Sequence, residues 1–292
     1  MTRATLFALV VLIVQQAWMQ SRRTASPVLV GSESHRACEQ KTAFAAEFRA
    51  DSVTWLRVPT DSGVVRVAVA MPKGTGPFPA IVILHGTHGF AEEYVKLARR
   101  FAQNGIVGVA ACWFAGRRGE GVRFITPIDC NDAPPLVDVP GADRFRMARQ
   151  TIDALVRRVA ALPNVQPSHL ALFGHSRGAG AALDYALTRL GNVQAVILNS
   201  GGYPPEVTKR AADVPVPVLL LHGVADGPAD GGSAFTSIAT VRQFEAALRA
   251  ANKKVEAKFY DKGGHNGLFS DSAQFEDTVR RTCAFLRDNP GK

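Results

Sequence analysis

The segment LALFGHSRGAGAAL, residues 170–183, decides the fold of this chain. Four apolar residues lead into GHSRG, residues 174–178, where glycines stand two places before and two places after Ser176. Small residues at those positions let a strand turn sharply into a helix, with the serine backbone strained and its hydroxyl lifted clear of the chain. The alanines that follow favour a helix. The segment therefore predicts a buried strand, a tight turn that carries Ser176, and a helix.

Short apolar strands alternate with amphipathic helices over most of the chain. Six such strands are predicted, at 80–84, 106–111, 170–173, 193–198, 216–221 and 255–260. Five helices alternate with them, at 91–103, 143–162, directly after Ser176, at 234–251 and at 271–288. Two earlier runs, 53–58 and 64–69, flank a turn and predict an antiparallel hairpin. Strands connected through helices form a parallel sheet that is covered on both faces. The predicted fold class is therefore α/β, with one mainly parallel sheet and a single domain over residues 27–292.

Residues 1–26 have the pattern of an export segment. Arg3 and the α-amino group supply positive charge, and an apolar stretch, 4–14, follows before polar residues begin at Gln15. That stretch is short for a membrane span but suits the core of a secretory signal peptide. Arg22 and Arg23 follow the stretch, so an uncleaved N-terminal anchor is the alternative. We expect a secreted or periplasmic protein, without stable membrane association unless this segment is retained.

The chain is basic, but its charges are dispersed. Its 292 residues include 34 Lys and Arg against 25 Asp and Glu, which gives a formal net charge of +9. Such an excess is compatible with nucleic acid or another anionic surface as a partner. However, no basic run is interleaved with aromatic residues, and the paired arginines lie in helical patterns that favour a solvated helix face. We therefore expect no nucleic-acid partner.

The four cysteines, at positions 38, 112, 130 and 283, suit an exported protein with disulfides. Cys112 and Cys130 flank one loop, and a bridge between them would close about 18 residues and stabilise the fold by about 3 kcal/mol. A bridge between Cys38 and Cys283 would tie the N-terminal region to the last helix. Four free, buried thiols are the alternative.

A serine nucleophile needs a base, and the base needs a group that orients it. These partners are expected after the serine, in the order acid and then histidine. Beyond Ser176 only His222 and His265 remain, and His222 precedes the candidate acid. His265, in a glycine-rich loop after the last strand, is therefore the predicted base. Asp226, the first carboxylate beyond the preceding strand, is the predicted acid, and Asp230 in the same loop is the alternative.

Two backbone N–H groups are expected to stabilise the oxyanion that ester attack creates. One belongs to Arg177, the residue after the serine. We assign the other to Thr87, in the segment HGTHG that follows the 80–84 strand, with His88 as the alternative. His85 and His88 have a spacing compatible with a metal pair, but no third ligand is evident. We expect neither a metal nor an organic cofactor.

Four segments together resemble the α/β-hydrolase superfamily, and its dienelactone hydrolase-like branch in particular. They are His85-Gly86, the 174–178 turn, LHGVAD at 221–226 and YDKGGH at 260–265. The resemblance covers about residues 53–288 and implies the α/β-hydrolase fold with a triad of Ser176, Asp226 and His265. The namesake of the branch has a cysteine nucleophile, whereas position 176 is serine. This departure favours general carboxylic esters over lactones.

The sequence thus predicts a serine hydrolase that cleaves small or medium carboxylic esters through an acyl-enzyme intermediate. Trp113 and Tyr203 are candidate apolar walls of the substrate pocket. Arg117, Arg118 and Arg123 are either contacts for an anionic substrate group or part of a solvated loop. A peptidase or a lactone hydrolase of the same fold is the enzymatic alternative. A non-catalytic binding protein with this fold is the alternative from another class.

Overall fold

Eight strands form one sheet in the computed structural model, which describes residues 52–116, 125–135 and 141–291. They are β1 (Thr54–Thr60), β2 (Gly63–Ala70), β3 (Phe78–Leu84), β4 (Val107–Cys112), β5 (Val165–His175), β6 (Val193–Asn199), β7 (Val218–Gly223) and β8 (Val255–Tyr260). Their order across the sheet is β1-β2-β4-β3-β5-β6-β7-β8. β2 pairs antiparallel with β1 and β4, and all other neighbouring strands are parallel. The predicted hairpin and mainly parallel sheet are therefore confirmed.

Helices cover both faces of this sheet. They are α1 (Glu92–Gln103), α2 (Gly141–Ala160), α3 (Arg177–Thr188), α4 (Pro205–Thr208), α5 (Ile238–Ala250), α6 (Gly267–Ser270) and α7 (Ser272–Asp288). Residues of α1 and α7 share one core with Ile81 and Phe173 of the sheet. α2 and α3 pack against each other and against β5. Consecutive residues Leu170–Phe173 of β5 are all buried, as a strand covered on both faces requires.

Two predicted elements differ from the structure by more than two residues at one of their ends. β5 begins five residues before the predicted strand, because Val165 already pairs with Phe78 before the register between the two strands shifts. The predicted helix 234–251 is divided into a 3₁₀ turn, Ala234–Thr236, and α5. Ser237 separates them because its backbone is extended, with φ −61° and ψ 145°.

Residues 1–51 lie outside the described part of the chain. The predicted signal peptide or anchor, 1–26, and the start of the predicted domain therefore stay predictions. Cys38 lies in the same stretch, whereas Cys283 is buried and is bonded to no other cysteine of the described residues. The Cys38–Cys283 bridge thus also stays a prediction. No described helix is long and apolar enough to cross a membrane.

Cys112 and Cys130 form the predicted disulfide, with their Cα atoms 6.1 Å apart. Cys112 ends β4, and Cys130 lies in the segment 125–135, which runs beside the start of α1. The Ile128 N–H donates to the Phe90 carbonyl oxygen over 2.9 Å. The bridge therefore joins the end of a central strand to a segment that holds the start of α1.

The turn between β5 and α3, residues Gly174–Gly178, is called the elbow below. A Cβ atom on Gly178 would lie 2.1 Å from the carbonyl oxygen of Leu84, and one on Gly174 would lie 2.2 Å from that of Gly178. Both neighbours are backbone atoms, which cannot move aside as the end of a side chain can. The two glycines thus bring the first turn of α3 against the carboxyl end of β3.

We expect Gly178→Ala to lower the free energy of unfolding by about 1–3 kcal/mol, because the added methyl group overlaps backbone atoms. Gly180→Ala is a matched control, since nothing lies within 4 Å of its Cβ position. Alanine also favours a helix over glycine by up to about 1 kcal/mol. Urea unfolding measures both effects, and equal stabilities of the two variants would contradict the close packing at the elbow.

We expect replacement of both Cys112 and Cys130 by serine to lower the free energy of unfolding by about 3 kcal/mol, because the unfolded chain regains the entropy of the open loop. Urea unfolding with and without dithiothreitol measures this effect. Reductant should bring the unmodified protein to the stability of the double variant and leave that variant unchanged. An unmodified protein that is insensitive to reductant under denaturing conditions would show that the bridge does not form.

Candidate active site

Ser176 lies at the tip of the elbow in a backbone conformation that L-residues rarely adopt, with φ 53° and ψ −115°. Its N–H donates to the Asn199 carbonyl oxygen at the end of β6 over 2.9 Å, and its own carbonyl oxygen accepts from the Ala179 N–H over 3.0 Å. Such a conformation costs about 1–3 kcal/mol and persists only where the surroundings maintain it. The elbow thus presents the serine hydroxyl at the carboxyl edge of the sheet.

The Ser176 hydroxyl oxygen lies 2.9 Å from His265 Nε2. The other ring nitrogen, Nδ1, lies 2.9 Å and 3.0 Å from the two carboxylate oxygens of Asp226. Because a carboxylate only accepts hydrogen bonds, Nδ1 carries the proton and Nε2 accepts from the hydroxyl. The structure therefore brings the three residues of the predicted triad together, and both His265 and Asp226 are buried.

Asp226 has two further polar neighbours. Thr236 Oγ1 donates to Asp226 Oδ1 over 2.6 Å. His222 Nε2 donates to the Thr236 carbonyl oxygen over 2.6 Å and lies 3.3 Å from Asp226 Oδ2. Burial lowers the pKa of His222, which keeps its ring neutral at neutral pH. The histidine that the chain order excluded as the base therefore supports the acid.

Asp230, the alternative acid, contacts the backbone of the histidine loop. Its carboxylate accepts a hydrogen bond from the His265 N–H, whereas the imidazole of His265 is bonded to Asp226. A Cβ atom on Gly264 would overlap the Asp230 carboxylate, so this contact requires glycine at position 264. Asp230 therefore positions the loop and does not orient the imidazole.

The predicted oxyanion turn follows β3 and lies beside Ser176. A Cβ atom on Gly86 would lie 3.1 Å from the Cβ of Ser176. The Gly86 N–H already donates to the Tyr94 hydroxyl over 3.0 Å. Among the described residues the next N–H, that of Thr87, is therefore the first one left for a ligand. Arg177 begins α3, and the N-terminus of a helix favours negative charge. The positions of both predicted donors thus suit an oxyanion close to Ser176.

The two histidines of this turn are held by local hydrogen bonds. His85 Nδ1 donates to the Gly86 carbonyl oxygen over 2.9 Å, and burial lowers the pKa of His85 to about 4. His88 Nε2 lies 2.9 Å from the Tyr94 hydroxyl oxygen, and burial lowers the pKa of His88 to about 2. Within the described ranges no three potential metal ligands lie together. Tyr94 thus links Gly86 and His88 from α1, a role that the sequence alone did not indicate.

Trp113 and Tyr203, the predicted pocket walls, are each 2% exposed. The Trp113 indole N–H donates to the His85 carbonyl oxygen over 3.0 Å, and its ring packs edge-to-face on Phe114. The Tyr203 ring stacks on Phe244 with centroids 4.4 Å apart. Both side chains are therefore held in the interior in this structure, and their contact with substrate stays a prediction. The three candidate arginines, Arg117, Arg118 and Arg123, lie outside the described residues.

Comparison with known proteins assigns the chain to a family. The profile of the dienelactone hydrolase family matches residues 65–286. The chain belongs to this family. This dienelactone hydrolase family member is 27% identical over 217 residues to a candidate carboxymethylenebutenolidase of Methylorubrum extorquens. The aligned region covers 72% of this chain and 70% of that protein. It is 29% identical over 166 residues to acyl-coenzyme A thioesterase 5 of Mus musculus, covering 57% of the chain but only 34% of the mouse protein.

Solved structures resemble this dienelactone hydrolase family member over most of its length. The dienelactone hydrolase-like promiscuous phosphotriesterase P91 from metagenomic libraries has a TM-score of 0.63 and 17% identity, and covers 82% of this chain and 99% of its own. Esterase Est2 of Thermogutta terrifontis has a TM-score of 0.61 and 18% identity, with coverages of 83% and 96%. At these identities the likeness shows the α/β-hydrolase fold. Together with the family, it confirms the resemblance seen in the sequence, and the protein is a hydrolase that acts on ester bonds.

We expect Thr236→Val to lower kcat for ester hydrolysis by about tenfold, because the carboxylate that orients His265 loses a charge-assisted hydrogen bond. Thr236→Ser keeps the hydroxyl and should retain most of the activity. Thr240→Val is a matched control, since among the described residues the Thr240 hydroxyl bonds only to the backbone carbonyl oxygens of Phe235 and Ser237. Steady-state kinetics with p-nitrophenyl acetate gives kcat and KM, and a kcat for Thr236→Val equal to that of the control would contradict this role.

Proposed function

We propose that this protein is a serine hydrolase that cleaves small or medium carboxylic esters through an acyl-enzyme intermediate. The observation that carries the proposal is the continuous hydrogen-bonded series from Ser176 Oγ through His265 to Asp226, with 2.9 Å on each side of the imidazole. Nucleophile and base at this distance, with the base oriented by a carboxylate, are the arrangement that nucleophilic catalysis by a hydroxyl requires.

In the first half of the reaction, His265 Nε2 takes the hydroxyl proton as Ser176 Oγ attacks the ester carbonyl carbon. The carbonyl oxygen becomes an oxyanion, which accepts hydrogen bonds from the N–H groups of Thr87 and Arg177. The imidazolium that forms is stabilised by the Asp226 carboxylate, which does not itself take the proton. His265 then protonates the leaving alkoxide, the carbon–oxygen bond to the alcohol breaks, and the acyl group stays on Ser176.

In the second half, water replaces the alcohol. His265 Nε2 removes a proton from the water as its oxygen attacks the acyl carbon, and a second oxyanion forms at the same two N–H groups. When this intermediate collapses, the bond to Ser176 Oγ breaks and the serine recovers its proton from His265. Only water, ester, carboxylic acid and alcohol are consumed or produced, so the proposed cycle needs no metal or organic cofactor.

Carboxylic esters of small or medium size are the proposed substrate class. The names of the relatives include a candidate carboxymethylenebutenolidase and an esterase, which supports ester chemistry on small molecules. Serine at position 176 favours general esters over lactones, because the namesake of the family branch uses a thiolate. Hydrolysis of a lactone or a peptide by the same triad is the alternative that a substrate panel tests.

An extracytoplasmic location is part of the proposal. The charged N-terminus and the apolar stretch at 4–14 support a signal peptide or anchor over residues 1–26. The Cys112–Cys130 disulfide adds independent support, because disulfides persist mainly in oxidising compartments. We infer a secreted or periplasmic enzyme that works on small-molecule esters.

We expect a fluorophosphonate probe to label Ser176 covalently and p-nitrophenyl acetate to give a burst of p-nitrophenol before the steady state, because the nucleophile is activated and acyl-enzyme accumulates. Ser176→Ala should abolish labelling and lower kcat on the order of 10⁴–10⁶-fold. Mass spectrometry of the labelled peptide identifies the modified residue.

Full esterase activity in Ser176→Ala would overturn the proposal. A folded protein that neither labels nor hydrolyses any ester would favour the non-catalytic binding protein instead. A panel of esters, lactones and peptides then separates the enzymatic alternatives, since kcat/KM should be highest for the open-chain esters.

A further inference from the structure

His175 is a fully buried titratable side chain that has no step in the proposed reaction. It directly precedes Ser176, and both of its ring nitrogens meet side-chain amides. Nδ1 lies 2.7 Å from Asn199 Oδ1, and Nε2 lies 3.2 Å from Asn266 Oδ1. Asn199 ends β6, whereas Asn266 is the residue directly after His265. The imidazole therefore lies between the elbow and the loop that carries the base.

The direction of these hydrogen bonds follows from the partners of Asn199. Its Nδ2 donates to the Leu221 carbonyl oxygen over 3.4 Å, which leaves Oδ1 to accept from His175 Nδ1–H. A neutral imidazole has one N–H, so Nε2 then has a lone pair and needs a donor. Asn266 supplies this donor once its amide oxygen and nitrogen are exchanged, which places NH₂ where Oδ1 stands and leaves the shape of the side chain unchanged.

We propose that His175, as the neutral Nδ1–H tautomer, is a positioning residue that holds the His265 loop on the elbow by accepting a hydrogen bond from Asn266. This inference rests on the proposed function, because it concerns the alignment of His265 Nε2 with Ser176 Oγ. The series of donors runs from Asn266 to His175, then to Asn199 and finally to the carbonyl oxygen of Leu221 in β7. One imidazole thus connects the ends of β5, β6 and β7 to the loop after β8.

The turn that begins at Asn266 contacts His175 a second time. The Asn266 carbonyl oxygen accepts from the Phe269 N–H over 2.9 Å, which sets the position of Phe269 at the end of α6. The Phe269 ring meets the His175 ring edge-to-face, with centroids 5.1 Å apart. Asn266 and Phe269, from one short segment, thus both contact the His175 imidazole, the first through its amide and the second through its ring. These two contacts hold the segment that directly follows His265.

The surroundings of His175 keep it uncharged. Burial, followed by the nearby His265, lowers the pKa of His175 to about 4. The titratable groups that face it are His88, Tyr94 and His265, with ring centroids 5.5 Å, 6.3 Å and 5.5 Å away, and more distantly His85 and Asp226. A positive charge on His175 would oppose the imidazolium that His265 becomes during catalysis. A neutral ring can therefore position His265 without raising the energy of its charged form.

The central experiment compares His175→Phe, Asn266→Ala and the double variant with the unmodified protein. We expect each single change to lower kcat for p-nitrophenyl acetate about 10- to 100-fold with KM nearly unchanged, because a displaced base affects the transition state more than substrate binding. The double variant should be no slower than the slower single variant, since both changes remove the same contact. Additive losses, or unchanged kcat in both single variants, would overturn the proposal.

Conservative and control variants separate positioning from stability. His175→Gln keeps one donor and one acceptor and should recover part of the kcat that His175→Phe loses. His169→Phe removes a half-buried histidine from the middle of β5, and Asn104→Ala removes an exposed amide at the end of α1. Both controls should keep the unmodified kcat. Kinetics are measured below the unfolding temperature of each variant. If His175→Phe does not fold, Asn266→Ala and His175→Gln test whether His175 positions the His265 loop.

Nitrogen-15 NMR of histidine-labelled protein tests the tautomer directly. At neutral pH, His175 should show a protonated, pyrrole-type Nδ1 and a pyridine-type Nε2. An Nε2–H tautomer or an imidazolium at that pH would overturn the proposal. Fluorophosphonate labelling distinguishes the two levels of inference. If the unmodified protein is not labelled at Ser176, the proposed function fails; if it is labelled and the two single variants match their controls, only the role of His175 fails.

Discussion

The strained backbone of Ser176 is the constraint on which the rest of the site depends. A positive φ at a residue with a side chain is unfavourable, so the surrounding structure must hold it. Two features do so here: the N–H of Ser176 is tied to β6 through Asn199, and the glycines on either side allow α3 to meet the end of β3. In this arrangement the serine hydroxyl oxygen lies 2.9 Å from His265 Nε2.

The parallel sheet brings the other residues of the site next to Ser176. Parallel strands place their carboxyl ends at one edge, and the loops that leave this edge carry Thr87, Ser176, Asp226 and His265. The residues are therefore distant in sequence and adjacent in space, and each loop needs a separate anchor. Thr236 anchors the acid, Asp230 the backbone of the base, and Tyr94 the oxyanion turn. The precision of the site comes from side chains that take no part in bond making.

The sequence predicted the parts of this site that follow from strong local patterns. The glycines around Ser176 and the order of Asp226 and His265 indicated the fold and the three central residues, because sharp turns and chain order leave few alternatives. The sequence did not predict the roles of Thr236 and Tyr94. Thr236 bonds to Asp226, ten residues before it, and Tyr94 bonds to Gly86, eight residues before it. No sequence pattern singles out one hydroxyl among many for such a contact. The assignment of Trp113 and Tyr203 to the pocket wall stays a prediction, because residue type and place in the chain do not show which way a ring packs.

The helix bounds show the same limit. The pattern from 234 to 251 is compatible with one continuous helix, yet the extended backbone at Ser237 divides it. The division allows Thr236 to reach Asp226, so a tertiary contact accompanies a local break that periodicity does not reveal. Similarly, β5 extends towards Val165 only because Phe78 offers it a partner. Where neighbouring elements decide the conformation, the chain on its own is ambiguous.

The disulfide has a consequence beyond stability. Cys112 directly precedes Trp113, whose indole holds the carbonyl oxygen of His85, and the segment of Cys130 holds the start of α1, the helix of Tyr94. Both sides of the bridge thus lead within a few residues to the oxyanion turn. A molecule folded in a reducing compartment would lack the Cys112–Cys130 bridge. Two molecules with the same sequence can therefore differ at the catalytic edge according to where each was folded.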